Sequence, residues 1–324
     1  MTTITSGPLS GTLRLSDLSL RRRPYLLAGG LSLLLLIATV IVQPATNWSG
    51  QIAALAPLAI AAMASTSSVL GGGIDLSISP VMALTGILYA GYLFPAGLGG
   101  IEALPILVAL GALVGLVNGF IVVKLRLSPL VATLAVMFIV TGVNLRLADR
   151  PFTVTGDTWL RVVSGPLGPI PGGLISIAIV VLLWYALMAT AYRRSIYAVG
   201  GNDATAYSAG MRVAAIRILS YVFGSVLAVF AGLSLVGLTS SASATTSSSY
   251  LLVALAAVAI GGTSLLGGRG GVLGSILGAA ALFLVQTLLS SLGVPGAALP
   301  LIYGIVLAAA LVVGAAIALR RTKR

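Results

Sequence analysis

The chain has no cysteine and no histidine, and its acidic residues number six against eighteen lysines and arginines. Without cysteine there is no disulfide framework and no thiolate metal centre. Without histidine there is no imidazole general base, no histidine-containing triad, no HExxH zinc site and no histidine-ligated haem. Charge of either sign is scarce: 7% of the 324 residues are charged and 58% are hydrophobic, whereas soluble domains are roughly a quarter charged. A soluble globule is excluded, and no polar stretch is long enough to build a second, soluble core. The formal net charge of +12 does not indicate a nucleic-acid binder. The basic residues stand in short clusters between apolar runs, the pattern that orients helices in a bilayer. Neither nucleic acid nor metal is expected as a partner; membrane lipid is.

What is present is a series of apolar runs. Arg21, Arg22 and Arg23 precede the first, from Tyr25 to Val42, as in a signal peptide. That run is long enough to span, no convincing small-x-small site follows it, and more apolar runs come after, so it reads as a retained span. Spans are predicted at about 25–42, 51–69, 79–96, 103–123, 129–147, 173–191, 214–237, 250–263, 272–292 and 299–319. Both termini then lie in the cytoplasm. Inside fall Arg14, Arg21 to Arg23, Lys124, Arg126, Arg193, Arg194, Arg212, Arg217, Arg269, Arg320, Arg321, Lys323 and Arg324, fifteen in all, against Arg146, Arg150 and Arg161 outside. This is a positive-inside distribution, and an odd number of spans breaks it. The predicted fold is all-α, a polytopic membrane bundle of about ten transmembrane helices. Its parts are an N-terminal cytoplasmic segment 1–24, a membrane domain 25–319 with a cytoplasmic loop at 192–213, and a basic cytoplasmic tail 320–324.

The longest polar interruption on the inner side is Tyr192 to Arg217, YRRSIYAVGGNDATAYSAGMRVAAIR. Asn202 is placed to cap a short helix with its side-chain oxygen, Asp203 to favour the positive helix end and Gly210 to stop it. An ordinary connector between spans is the alternative. On the outer side, a Pro- and Gly-rich loop at 148–172 and the run TSSASATTSSSY at 239–250 either face a soluble partner or are plain hydrophilic connectors. GGGIDLSISPVMALTGILYA from Gly71 and GGTSLLGGRGGVLGSILGAA from Gly261 echo one another, as repeats in transporters do, although small residues also serve helix packing alone.

Asp75 is the most informative acid, because Gly71, Gly72, Gly73 and Pro80 interrupt the apolar pattern around it and leave backbone groups that need partners. It either pins the start of the next helix near Leu76 through backbone N–H groups or lines a solute route. Other polar residues at membrane depth are Ser65 to Ser68, Asn118, Thr133, Thr141, Asn144, Gln286 and Thr287. They make a hydrated route for a hydroxyl-rich solute or simply bond helix to helix. The stretch at Gly261 to Gly271 is not a phosphate loop, for no lysine follows its glycines. Neither paired carboxylates nor a nucleophile with a base is visible, so the chain is not read as an enzyme. An ion-coupled secondary transporter remains the alternative, with Asp75 its one candidate group.

Four segments together resemble the permease subunits of the ribose-type, or monosaccharide, branch of bacterial ABC importers: GGGIDLSISPVMALTG, KLRLSPLVATLAVMFIVTG, YAVGGNDATAYSAGM and AIGGTSLLGGRGGVLGSILGA, in order from about residue 71 to 281. The resemblance implies a multi-pass protein of the bacterial plasma (inner) membrane that carries a monosaccharide or related polyhydroxylated solute by alternating access. Its implied partners are a cytoplasmic ABC ATPase, a second permease subunit, identical or related, and a periplasmic or lipid-anchored solute-binding protein. No cofactor is implied for this chain; ATP and magnesium belong to the partner ATPase. The YAxGGN segment supplies the family's coupling helix, so Gly200, Gly201, Asn202, Asp203, Ala206, Gly210 and Met211 are expected to contact the ATPase. Asp75, Ser68, Asn118, Thr133, Asn144 and Gln286 remain the candidate pathway residues. The chain departs from the family's pattern in having no acid between Tyr250 and Ile260, Pro80 in place of a small residue, and no arginine before Gly142. The first departure bears on sugar specificity at the outer mouth.

Overall fold

Glycine, alanine and serine set how closely these helices approach, and breaks in the apolar pattern set where they end. The structure is a computed structural model and describes residues 25–43, 47–156, 159–165, 171–298, 301, 302, 304, 305 and 308. Its helices are α1 (Tyr25–Val42), α2 (Trp48–Leu70), α3 (Ile78–Leu88, continued by a π turn Tyr89–Leu93), α4 (Ala103–Lys124), α5 (Pro129–Leu147), α6 (Trp159–Ser164), α7 (Gly172–Met188), α8 (Tyr192–Gly201), α9 (Asp203–Ser208), α10 (Val213–Thr239), α11 (Tyr250–Ile260) and α12 (Val272–Ser291). Two short strands, β1 (Phe152–Thr153) and β2 (Ser241–Ala242), pair antiparallel.

Helices α1, α2, α4, α5, α10 and α12 are long and apolar enough to cross a membrane, and α7 with α8, which meet at 83°, make a seventh if taken as one bent span. Against the expectation of ten, six or seven are found among the described residues. Ile78–Leu93 and α11 are apolar but shorter, because each starts only after a non-helical stretch, near 71–77 and 240–249, that already lies among buried residues. The predicted tenth span, 299–319, lies largely outside the described residues, as do the segment 1–24 and the tail 320–324.

Packing centres on α10, which lies against α2, α3 and α4. On α4, Gly111, Gly115 and Gly119 recur every fourth residue along one face and let its backbone reach α10. A Cβ at Gly115 would come within 2.6 Å of the Tyr221 carbonyl oxygen and the Val222 Cα, and one at Gly119 within 2.8 Å of the Ile218 Cα. Small residues serve membrane helices this way, since apolar side chains gain nothing over lipid. The apolar core forms two main clusters. One gathers residues of α3, α7 and α10, among them Met82, Trp184 and Leu227. The other joins one face of α2 (Leu58, Ala59, Ala62, Val69) to α11 and α12. Outward-facing Leu34, Ile41, Leu113, Phe138, Ile139 and Leu182 are exposed, the apolar exterior that a bilayer requires.

The bundle has two distinct ends. At one, Lys124, Arg126, Arg193, Arg194, Arg212, Arg217 and Arg269 accompany the ends of α4, α8, α10 and α12. At the other, the Tyr89 hydroxyl and the Trp159 indole N–H both donate to the Gly99 carbonyl, at 2.6 and 3.0 Å, and the Tyr92 hydroxyl donates to Leu147 O at 2.9 Å. There the loop around 148–172 folds onto the helices through the β1–β2 pairing and α6, rather than standing free. The polar run at 239–250 is likewise no plain connector, because Ala242 and Ser247 are buried.

Candidate functional site

Two sites emerge, a surface site at the basic end and a polar cluster within the bundle. The surface site starts from local chemistry. Asn202 breaks the helical path with extended backbone, and its side-chain oxygen accepts the Thr205 N–H at 3.0 Å, the N-cap bond expected of asparagine. Asp203 then opens α9, where a negative charge suits the helix dipole. The turn ends at Gly210, whose φ of 80° favours glycine, and Met211 N–H closes it on the Ala206 carbonyl at 3.1 Å. Asp203 reaches Arg217, four residues into α10, at 3.2 Å. Gly201, Asn202, Asp203 and Gly210 are exposed, Met211 is half-buried and Ala206 is buried beneath the helix. Tyr207 stands 75% exposed on α9, a surface aromatic that motif reading passed over.

Long-range contact ties this element to the bundle. Gly200 meets the end of α2 and the loop 261–271 through main chain alone: a Cβ there would collide with the Leu70 carbonyl oxygen and stand 2.7 Å from Gly268 N. The Gly268 N–H donates to Leu70 O at 3.2 Å, and a Cβ at Gly267 would lie 2.6 Å from Gly200 O and 2.9 Å from Gly72 Cα. Three glycine-rich stretches, at 71–73, 200–201 and 267–268, thus converge on one junction. The Tyr197 hydroxyl reinforces it by donating to Gly270 O at 2.8 Å; burial pushes this phenol above its usual range, with Arg193 opposing, so it remains a donor. The echo between the first and third stretches is also structural. Gly71, Gly72 and Gly73 close α2 with N–H bonds to Ser67, Val69 and Ser68, and Gly261, Gly262 and Thr263 close α11 with bonds to Ala257, Ala259 and Val258. The spacing is the same in both, a Schellman-type ending that needs positive φ at Gly72 and Gly262.

Inside the bundle, Asp75 is 5% exposed. Its Oδ1 accepts the Ser77 N–H at 2.9 Å and the Ser77 hydroxyl at 2.7 Å, so it pins the residue before α3 rather than the first helical turn itself. Asn118 donates to the Ser77 hydroxyl at 2.7 Å and weakly to Asp75 at 3.4 Å. Thr133 donates to Ile74 O at 3.1 Å and Asn144 to Pro80 O at 2.9 Å, so residues 74–80 climb alongside α5. Ser68 bonds within its own helix, its hydroxyl to Ser65 O at 3.1 Å, and its carbonyl accepts Gly73 N–H at 3.0 Å. Gln286 is not brought to this cluster: the adjacent Thr287 bonds Phe283 O and lies 3.4 Å from Gln51 Oε1, in the first turn of α2 and roughly 20 Å along that helix from Ser65. Asp75 Oδ2, Asn118 Oδ1 and the Tyr221 hydroxyl are buried with no hydrogen-bond partner among the described residues. A small cavity beside Asp75 is lined by Ser65, Val69, Leu76 and Ile78 on one wall and Tyr250, Leu251, Ala254 and Leu255 on the other. Among the described residues no group of His, Cys, Asp and Glu is suited to a metal ion.

A family model described as the permease component of branched-chain amino acid transport systems matches residues 47–316. The ribose import permease protein RbsC of Escherichia coli (strain K12) is 37% identical over 244 residues, 73% of this chain and 75% of its own length. A probable ABC transporter permease, y4mJ of Sinorhizobium fredii, is 34% identical over 307 residues, 89% of each chain. The fructose import permease FrcC of Rhizobium meliloti is 31% identical over 235 residues, 69% of this chain and 65% of its own. No solved structure matches the chain.

Proposed function

Because this chain belongs to the family of branched-chain amino acid transport system permease components, and is thus a multi-pass transport subunit of a bacterial ABC importer in the inner membrane, we propose that it carries a monosaccharide or related polyhydroxylated solute. The named sugar permeases among its relatives and the hydroxyl- and amide-rich interior support that substrate class. An ion-coupled secondary transporter is not favoured. We further infer ten crossings with both termini in the cytoplasm, the basic end of the bundle facing inward; the charge distribution supports this orientation. Cytoplasmic loop 192–213 is the coupling element between segment 1–24 and tail 320–324 at the two ends of the chain.

The observation that carries the reading is the exposed, capped α9, tied to α10 by Asp203 and Arg217 and to α2 and the loop 261–271 by the Gly200 junction. A cytoplasmic ABC ATPase docks here, on Gly201, Asn202, Asp203 and Gly210, with Met211 at the edge; Gly200 and Ala206 act from beneath, by seating the helix. Hydrolysis of magnesium–ATP in that partner shifts the permease between inward- and outward-open states, which requires contacts that differ between the two. A second permease subunit and an external solute-binding protein complete the assembly. Asp75, Ser68, Asn118, Thr133 and Asn144 line or brace the route, and Gln286 stands near its opposite end. Reconstituting the chain with and without a cognate ABC ATPase tests this: uptake of labelled ribose or fructose should need the ATPase and ATP. Uptake by the chain alone on an ion gradient would sink the importer reading.

A further inference from the structure

The seam between the two core clusters carries a feature that neither the motifs nor the relatives assign. On one side stands α3, in the cluster with α7 and α10. On the other stands α11, whose buried Val253, Ala256, Ala257 and Val258 belong with α12 and one face of α2; Ala254 alone of its buried residues joins the first cluster. Where they meet, Ser79 in the first turn of α3 and Ser247 in the stretch leading to α11 are both buried. The Ser79 hydroxyl donates to Ser247 O at 2.7 Å and the Ser247 hydroxyl donates to Ser79 O at 2.6 Å. The cavity beside Asp75 adjoins this seam: Leu76 and Ile78 line it at the start of α3, Ser65 and Val69 on α2, and Tyr250, Leu251, Ala254 and Leu255 on α11.

We infer that Ser79 and Ser247 form a latch that holds α11 against α3 over the Asp75 cavity, and that it parts once in each transport cycle. Apolar interdigitation would make this seam permanent, because such surfaces separate only with loss of packing on both sides. Here the apolar contact of α11 with the cluster of α3 is limited to Ala254 and the half-buried Tyr250, and the remaining link is a pair of neutral hydroxyl bonds, whose net strength is small because parted hydroxyls bond readily to water or to their own backbone. Hydroxyls beside Ser247 already bond locally: that of Ser248 donates to the Thr245 backbone carbonyl at 2.8 Å, and Ser243 and Thr246 pair through their side chains at 2.5 Å. The stretch therefore keeps local bonds of its own that do not depend on α3. The inference rests on the importer reading, since ATP turnover in the partner is what drives the parting.

The absence of native cysteine makes a clean test possible. The double variant Ser79→Cys with Ser247→Cys, assembled with the ATPase in membranes, is oxidised with copper phenanthroline or bridged with a short bifunctional thiosulfonate. Expected are cross-linking in the nucleotide-free complex, a fall in ATP turnover of about tenfold or more on cross-linking, recovery with reductant, and no effect of oxidant on either single-cysteine variant. Single Ser247→Cys should also react faster with a membrane-impermeant maleimide in one of the nucleotide-free and vanadate-trapped states than in the other. Unchanged turnover after cross-linking, equal labelling in both states, or no cross-link with either reagent overturns the latch. Failure to assemble with the ATPase in a pull-down is a separate result; it removes the importer reading and the latch with it.

Discussion

Asp203 at the start of the short α9 and Arg217 in the first turns of the long α10 pair at 3.2 Å, so the only acid on the exposed helix is bonded to the helix at the centre of the bundle. Both side chains are partly exposed, and such pairs contribute only about 0.2–1 kcal/mol to stability. Geometry rather than fold stability is what the pair supplies. Asp203→Asn or Arg217→Gln should leave the melting temperature of the purified permease within a few degrees while lowering ATP-driven uptake several-fold. A coincident loss of both would assign the pair to folding instead.

The junction glycines should separate sharply from their neighbour. Gly200→Ala drives a methyl into the Leu70 carbonyl, and main chain yields poorly, so a destabilisation of about 1–3 kcal/mol or more is expected. Gly201→Ala meets open space and should change stability by no more than about 0.5 kcal/mol. Thermal melting of the two variants in detergent checks the contrast.

Asn202→Ala removes the cap of α9 and should loosen that helix by about 0.5–2 kcal/mol, whereas Asn202→Asp retains the acceptor. ATPase affinity in a titrated pull-down should follow the same order: wild type and Asp close together, Ala weaker. Tyr207→Ser should weaken docking too, without any change in melting, because its ring contributes surface rather than packing.

Asp75 offers a choice between pin and pathway. Asp75→Ala loses both Ser77 bonds and should reduce the yield of folded protein; Asp75→Asn keeps a side-chain oxygen for Ser77 and should fold. Uptake by the Asn variant then decides the matter. Normal uptake assigns Asp75 to structure, while a folded but inactive variant assigns its charge to the transport route.

The sequence made local chemistry legible and left tertiary chemistry hidden. The Asn202 cap, the Gly210 stop and the interruption at Asp75 rest on bonds within a few residues, and the structure has all three. The Schellman-type endings at Gly72 and Gly262 were foreshadowed by the echo between their segments. By contrast, Gly200 gave no sign that Leu70 and Gly268 would be its neighbours, since a glycine reports that something comes close without saying what. Serines in a polar run look solvated, and only the fold reveals that Ser247 lies buried against Ser79. Hydropathy records apolarity and not where a helix begins, so it does not foretell that the helices within 79–96 and 250–263 are shorter than the other candidate spans. Gln286 shared the polarity of Asn118 but not its position, which is set by the register of α12 against α2.

A junction built from main chain at Leu70, Gly72, Gly200 and Gly267 has no rotamers with which to absorb a displacement. Side-chain interfaces lose small motions to repacking, so an ångström at one face fades within a layer or two. Here the same ångström applied to α8 should reach the end of α2 and the loop before α12 with little loss, because main chain meets main chain at each contact. The lever is stiff because it has been stripped of side chains, and a single added methyl should jam it.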